Sequence, residues 1–358
     1  MNSRSSFFSL AATVGLLTLS FAPASPAVPL VPIAQVSPDF QYGSAAFNEV
    51  AQTSYQTVGL SGIFNDWITA AYLNSGVPLG DTGSLTGDLD ARAAVIGAAS
   101  GDEKVKLERE TAAWAHRFIK KSIRKFSLDR GFELANVVKT GERQCLAQSF
   151  IISGLLQRAG LQAGAVMVWS NPKGQKSNLG HVVSVVRLSS GNDLLDDASD
   201  PTPFMHHQGL LVRVGDHYSF VKPTYEADDT ISGYTLAGSG HALSVKATAP
   251  LTLSYLHSQF DYYRGERATG GILGTGTGKA TPGGLKQSAF FLSRAVQEEP
   301  QNALAGFVLG QVLARQGHTA QAKAQFQNAN AMYRAEGRVP AGVQEAITAL
   351  TRLAGKKQ

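Results

Sequence analysis

Residues 141–169, GERQCLAQSFIISGLLQRAGLQAGAVMVW, decide the fold. Leu146 to Ala159 is apolar nearly all round, so this helix is buried rather than amphipathic. Gly160 ends it, because a left-handed residue closes a helix at least cost as glycine. Gln162 to Trp169 then reads as a strand. After a turn-rich loop at 170–180, His181 to Leu188 (HVVSVVRL) is a Val-rich strand, and Ser189 to Asn192 is a hairpin turn. Asp193 to Asp196 starts the return strand, which Asp200-Pro201 stops, and a further hairpin is expected at 210–221 around Gly215-Asp216. A buried helix followed by antiparallel strands defines an α+β core.

Working toward the N-terminus, residues 102–126 carry acidic residues first and basic residues last, which suits the helix dipole. Val105, Leu107, Ala112, Ala115, Phe118, Ile119 and Ile123 give that helix its apolar face. Residues 44–74 hold helix-like spacings (Phe47, Val50; Ile63, Trp67, Ala70, Ala71), and 75–101, rich in Gly, Asp and Thr, reads as loop. Residues 1–24 read as a secretory signal: Arg4, then an apolar run from Phe7 to Phe21, then Ala22-Pro23-Ala24, with Ala27 as a second cleavage point. The run is shorter than the ~20 residues of a membrane span. Residues 25–43, with four prolines, read as a linker. The expected product is exported to a bacterial periplasm or the extracellular space, without stable membrane insertion.

Toward the C-terminus the pattern turns helical. Residues 269–284 are a Gly- and Thr-rich insertion read as a flexible loop. Leu309, Gly310, Leu313, Gly317, Ala322, Phe326 and Ala329 fall at tetratricopeptide spacing, and Leu292, Ala295 and Pro300 fit the second half of a preceding repeat. The expected organisation is a core domain at 44–250 and an all-α, tetratricopeptide-like region at 251–358.

The 358 residues are 43% hydrophobic and 16% charged, which excludes a wholly disordered chain. The net charge of +5 comes from scattered basic residues. Their densest cluster, Arg117, Lys120, Lys121, Arg124 and Lys125, is a solvated helix face; no nucleic-acid motif accompanies it, so no nucleic-acid partner is expected. One cysteine permits no intramolecular disulfide and no Cys-rich zinc site. The eight histidines show no ligand spacing; His206-His207 reads as a polar loop pair pointing to opposite sides. No metal and no cofactor is expected.

The lone thiol of an exported protein is either inert or chemical. Cys145 opens a helix, where unpaired N–H groups and the helix dipole favour thiolate, the nucleophilic form; Arg143 adds positive charge nearby. His181 begins a strand after a Gly-containing loop. Asp197 lies at the end of the next strand, where antiparallel pairing returns a carboxylate toward the histidine; Asp196 and Asp200 are rivals, and alternation lets only one of Asp196 and Asp197 face it. The set Cys, His, Asp is what nucleophilic acyl transfer needs. The Cys145 N–H and the Gln144 side chain are the candidate oxyanion donors.

At these residues the sequence resembles the transglutaminase-like superfamily of papain-like type. The stretch 141–169 resembles the family's catalytic Cys, buried helix, turn and strand. HVVSVVRLSSGNDLLDDAS resembles its His-strand-turn-strand-Asp segment, with Asp197-Ala198-Ser199 at the last element, and the helix at 102–126 its lead-in. Val182 stands where the family often has an aromatic residue. The resemblance implies a Cys-bearing helix packed on an antiparallel sheet, with Cys145 as nucleophile, His181 as base and Asp197 as orienting acid. It implies acyl transfer or hydrolysis on peptide or protein amides. The other reading is a catalytically degenerate scaffold that binds a protein partner through its repeats.

Overall fold

The computed structural model describes residues 39–355, and these fall in one compact unit. The expected signal segment and most of the expected linker lie outside the described residues. Four helices lead the chain: α1 (Ala45–Val58), α2 (Phe64–Ser75), α3 (Leu85–Ala98) and α4 (Gly101–Ser122). Helix α3 replaces the loop expected at 75–101. Its Gly- and Asp-containing sequence hides the helix, but Ser84 caps it by accepting the Gly87 N–H, and buried Asp88 accepts Tyr72 Oη and the Thr82 N–H. Helix α4 stops four residues short of the expected end. Ile123 leaves helical geometry there, and β1 (Lys125–Phe126) pairs in parallel with β2 (Glu142–Arg143), across the short helix α5 (Leu134–Thr140). Helix α6 (Cys145–Arg158) follows, with every residue from Cys145 to Leu156 buried. Gly160, at φ +84°, takes the left-handed turn beyond it.

The sheet is larger than the sequence reading allowed, and it closes. Its strands are β3 (Gln162–Ser170), β4 (Lys176–Arg187), β5 (Asp193–Asp196), β6 (Gly209–Val214), β7 (His217–Tyr225), β8 (Ile231–Leu236), β9 (Ala242–Ser244) and β10 (Thr248–Ala249). The antiparallel order β6-β3-β4-β5-β8-β7 returns to β6, forming a six-stranded barrel; β9 and β10 extend its rim. Alternation sorts the side chains. Val166, Val168, Val183, Val185, Leu195, Leu210, Val212 and Val221 fill the barrel, whereas Val182, Val186 and Leu194 join the core shared with the helices. Closure is thinnest at the β5–β8 seam, which rests on the single pair Asp193–Ile231. There Arg187 donates two hydrogen bonds to Asp193 (2.9 and 3.1 Å) and Tyr234 Oη donates a third (2.7 Å).

Helices α7 (Leu253–Glu266), α8 (Pro282–Glu298), α9 (Ala303–Arg315), α10 (Thr319–Ala335) and α11 (Ala341–Gly355) each pack on the next. The segment between α7 and α8, expected as a flexible loop, is a folded turn: Gly270 N–H donates to Thr275 O (2.8 Å) and Thr281 N–H to Gly270 O (2.7 Å). Gly284 must be glycine, because a Cβ there would lie 2.1 Å from the Gly270 carbonyl carbon. The boundary expected at residue 251 crosses a continuous core: Phe260 of α7 stacks edge-on against Phe150 of α6, and Tyr263 stacks on Phe132. Among the described residues no helix is long and apolar enough to cross a membrane.

Candidate active site

Helix α6, strand β4 and the end of β5 meet at one point. Cys145 is the first residue of α6 and 8% exposed. Its neighbour across the gap is the open edge of β4. The β4–β5 ladder runs only from Ser184–Asp196 to Arg187–Asp193, so β4 residues before 184 have no β5 partner. The Val182 N–H is therefore free on the side toward the thiol, and together with His181 it favours the thiolate. Helix and strand are locked together just behind, where Ser149 Oγ donates to Val182 O (2.9 Å).

His181 shares its strand face with Val183 and Val185, which lines up with Leu195 and then Asp197 across the hairpin. His181 Nε2 lies 2.6 Å from Asp197 Oδ2. A carboxylate acceptor puts the proton on Nε2 and leaves Nδ1 for the sulfur. Asp196, one residue back, points to the helical side and bonds His116 Nδ1 at 2.7 Å instead. The geometry thus brings Cys145, His181 and Asp197 together and takes Asp196 elsewhere. Asp200 sits in the turn after Asp197, where Lys120 Nζ donates to the carbonyls of Ala198 (3.3 Å) and Asp200 (2.5 Å). Arg143 Nη1 also donates to Ala198 O (3.2 Å), fixing the same turn from the Cys145 side.

The electrostatics follow from burial and these contacts. Burial pushes the Cys145 thiol up, but the hydrogen bond and charge of His181, with the Val182 N–H and Tyr263, bring it below its ordinary value. Burial works against the His181 cation, yet Asp197 and then Cys145 hold its pKa well above the usual imidazole value. For Asp197 burial is again outweighed, here by His181 and His207, and its carboxyl is held far below the usual carboxylate range. Asp196 is left with burial dominant over His116 and rises to about 6.

Two members of this cluster were not foreseen. His207, read as half of a polar loop pair, is buried and its Nε2 lies 3.1 Å from Asp197 Oδ2. His206 does face outward, stacked on Tyr225 and bonded to Asp229. Two imidazoles and the Ser199 N–H (2.9 Å, to Oδ1) thus hold Asp197 ionised. The adjacency of two histidines was the available signal, since alternation sends one of them inward. Tyr263, from α7, donates to Gly180 O (2.7 Å) and stands 3.8 Å from the Cys145 sulfur. No sequence pattern marks it. Gln144, expected to face an oxyanion, is 2% exposed and directs its amide Nε2 to Leu128 O at 3.4 Å. His181, Asp197 and His207 present their ligand atoms within 4.8 Å of one another, a spacing that a metal also uses. Hydrogen bonds account for the two contacts to Asp197 without an ion.

No family model matches this chain, and no curated protein matches it. Among solved structures it is similar to menin, in a crystal structure that reveals that protein's binding site for the Mixed Lineage Leukemia protein. The identity is 10%, over 84% of this chain and 72% of that one, with a TM-score of 0.28. At that score the likeness transfers neither fold nor function.

Proposed function

We propose that the chain is an exported thiol acyl transferase or hydrolase of transglutaminase-like, papain-like type, acting on peptide or protein amides. The observation that carries this reading is the grouping of the sulfur at the α6 N-terminus with His181, which favours its thiolate, and with Asp197, whose Oδ2 lies 2.6 Å from His181 Nε2. Cys145 thiolate attacks the amide carbonyl, a C–S bond forms, and the carbonyl π electrons move to oxygen. The Cys145 N–H, in the helix's first turn and without an intrahelical partner, is the available donor to that oxyanion. Collapse breaks the C–N bond, and the departing amine takes the proton held on His181. Water or an amine then attacks the thioester, giving its proton to His181 and releasing the thiolate. Asp197 keeps the imidazole oriented and its cation stabilised throughout. The helices α7–α11 serve as a tetratricopeptide-like surface for a protein partner or substrate.

The test is the rate of iodoacetamide labelling against pH in the native chain. Wild type is expected to react near pH 6, far below the free thiol value of about 8.5. His181→Ala is expected to need a higher pH. Equal profiles, or no labelling before unfolding, would remove the catalytic reading and leave the binding scaffold.

A further inference from the structure

Exposed large apolar side chains are ordinary where they are scattered singly, as Ile63 and Phe290 are here. Phe126 (56% exposed) and Leu128 (52%) are a pair. They lie two residues apart, the spacing that sends the side chains of extended chain to one side. The turn that presents them is fixed. The Ser127 N–H donates to Arg143 O (3.1 Å) and the Gly131 N–H to Ser127 O (3.1 Å), and a Cβ at Gly131 would lie 2.3 Å from the Arg143 carbonyl carbon. Arg130 adds a two-pronged ion pair to Glu142 (2.6 and 3.1 Å). The backbone is held against β2, and the two apolar side chains face solvent.

Cations surround them. Arg117 and Lys121 are exposed one turn apart at the end of α4. Arg124 joins them by donating its Nε–H to Lys121 O (3.3 Å), and Lys125 follows; both are exposed. Among the described residues none of these four makes an ion pair. The two carboxylates nearest in the chain and across the β1–β2 pair are engaged elsewhere: Glu142 on Arg130, and Asp129 on Arg267 (3.4 Å). The tip therefore joins four uncompensated cations to two projecting apolar side chains. Water suffices for the cations, but two large apolar groups held side by side in water mark a contact surface.

We propose that this tip docks on an anionic lipid surface, Phe126 and Leu128 entering the headgroup layer while Arg117, Lys121, Arg124 and Lys125 lie on lipid phosphates. Charge complementarity calls for the anion, and projection calls for the lipid. A bilayer admits two protruding side chains between its headgroups without a matching hollow, which an acidic protein would have to supply. The docking is peripheral, and it does not rest on the acyl-transfer reading. Strand β2 leads directly into Cys145, so a docked chain holds the N-terminus of α6 at the lipid surface.

The experiment is the fluorescence of Phe126→Trp in the full chain. It is titrated with mixed phosphatidylglycerol and phosphatidylcholine vesicles, plain or brominated in the acyl chains, and with phosphatidylcholine vesicles alone. The added indole reports the tip itself rather than the apolar run at 7–21. Brominated anionic vesicles are expected to quench it, and neutral ones to bind roughly 100-fold more weakly. In the same background Lys121→Gln, Arg124→Gln and Lys125→Gln together should weaken anionic-vesicle affinity by roughly 100-fold, about fivefold per charge. Leu128→Ser should weaken it by about tenfold. All these positions are exposed, so an unchanged urea midpoint separates lost docking from lost fold. No quenching by anionic vesicles, equal affinity for neutral ones, or undiminished affinity in either folded variant overturns the proposal. An indole that responds to soluble polyglutamate and ignores anionic vesicles also overturns it, and assigns the tip to an acidic protein. Cys145 labelling is read separately, so this proposal and the acyl-transfer reading fail independently.

Discussion

Asp196 and Asp197 adjoin in the chain yet serve opposite faces of one strand end: Asp196 bonds His116 in the helical core, and Asp197 bonds His181 beside the thiol. Their substitutions should therefore separate. Asp197→Asn removes the charge that orients His181 and sustains its cation, so labelling of Cys145 at pH 6, and any turnover, should fall by roughly 10²–10⁴, and stability should drop by about 1–3 kcal/mol because the charge leaves a buried cluster of two imidazoles and a backbone N–H. Asp196→Asn should leave labelling near wild type and change stability at pH 7 by less than Asp197→Asn does, because burial already disfavours the Asp196 charge. Urea unfolding and labelling rates on both variants check this. The reverse pattern would make Asp196 the partner of the chemistry.

That pair also shows what could be read from sequence. Alternation along a strand says that only one of two adjacent aspartates faces a given side, and hairpin pairing says the facing one lies near His181; neither needs coordinates. The buried helix after Cys145 was legible for the same reason, since fourteen residues without a polar stripe have nowhere to go but inside. The barrel was not legible. Closure is a long-range event set by the β6–β7 and β5–β8 pairings, the latter a single residue pair. Tyr263 is equally silent in the sequence, because its place beside the sulfur depends on α7 docking against Phe132, ahead of α5, and against α6 rather than on any local spacing. Helix α3 was hidden by composition: Gly, Asp and Thr favour loops on average, but here Asp88 spends its carboxylate on Tyr72 and Thr82 instead of competing with the helix.

Glu336 gives the fold a pH dependence of definite sign. In the folded chain burial raises it to about 8, whereas in the unfolded chain it ionises near its ordinary value of 4.5. Between those values the unfolded state releases a proton that the folded state keeps. Stability is therefore greatest below the unfolded value and falls as pH rises toward about 8, by on the order of 5 kcal/mol. Glu336→Gln removes that dependence. Unfolding free energies of wild type and variant should be similar at pH 5, and the variant should be the more stable at pH 8.5. Parallel curves across that range would mean that the carboxyl is already ionised in the fold.

The helices after residue 251 make a packing claim that one methyl-sized position can test. Ala322 and Ala329 of α10 are fully buried, and Phe326 between them lies against α9 so closely that a Cβ at Gly310 would approach its ring to 2.7 Å. Small residues at this crossing let α9 and α10 approach, which is what the repeat spacing of Gly310, Ala322 and Ala329 anticipates. Ala322→Leu adds three carbons where no space exists, and interiors packed at crystal density relax only partly. The variant should lose roughly 1–3 kcal/mol, read as a lower urea midpoint at unchanged slope. Cys145 labelling should survive, because the triad lies on α6, β4 and the end of β5 rather than on α10. A change within error would place Ala322 on an exposed face and remove the repeat reading of this region.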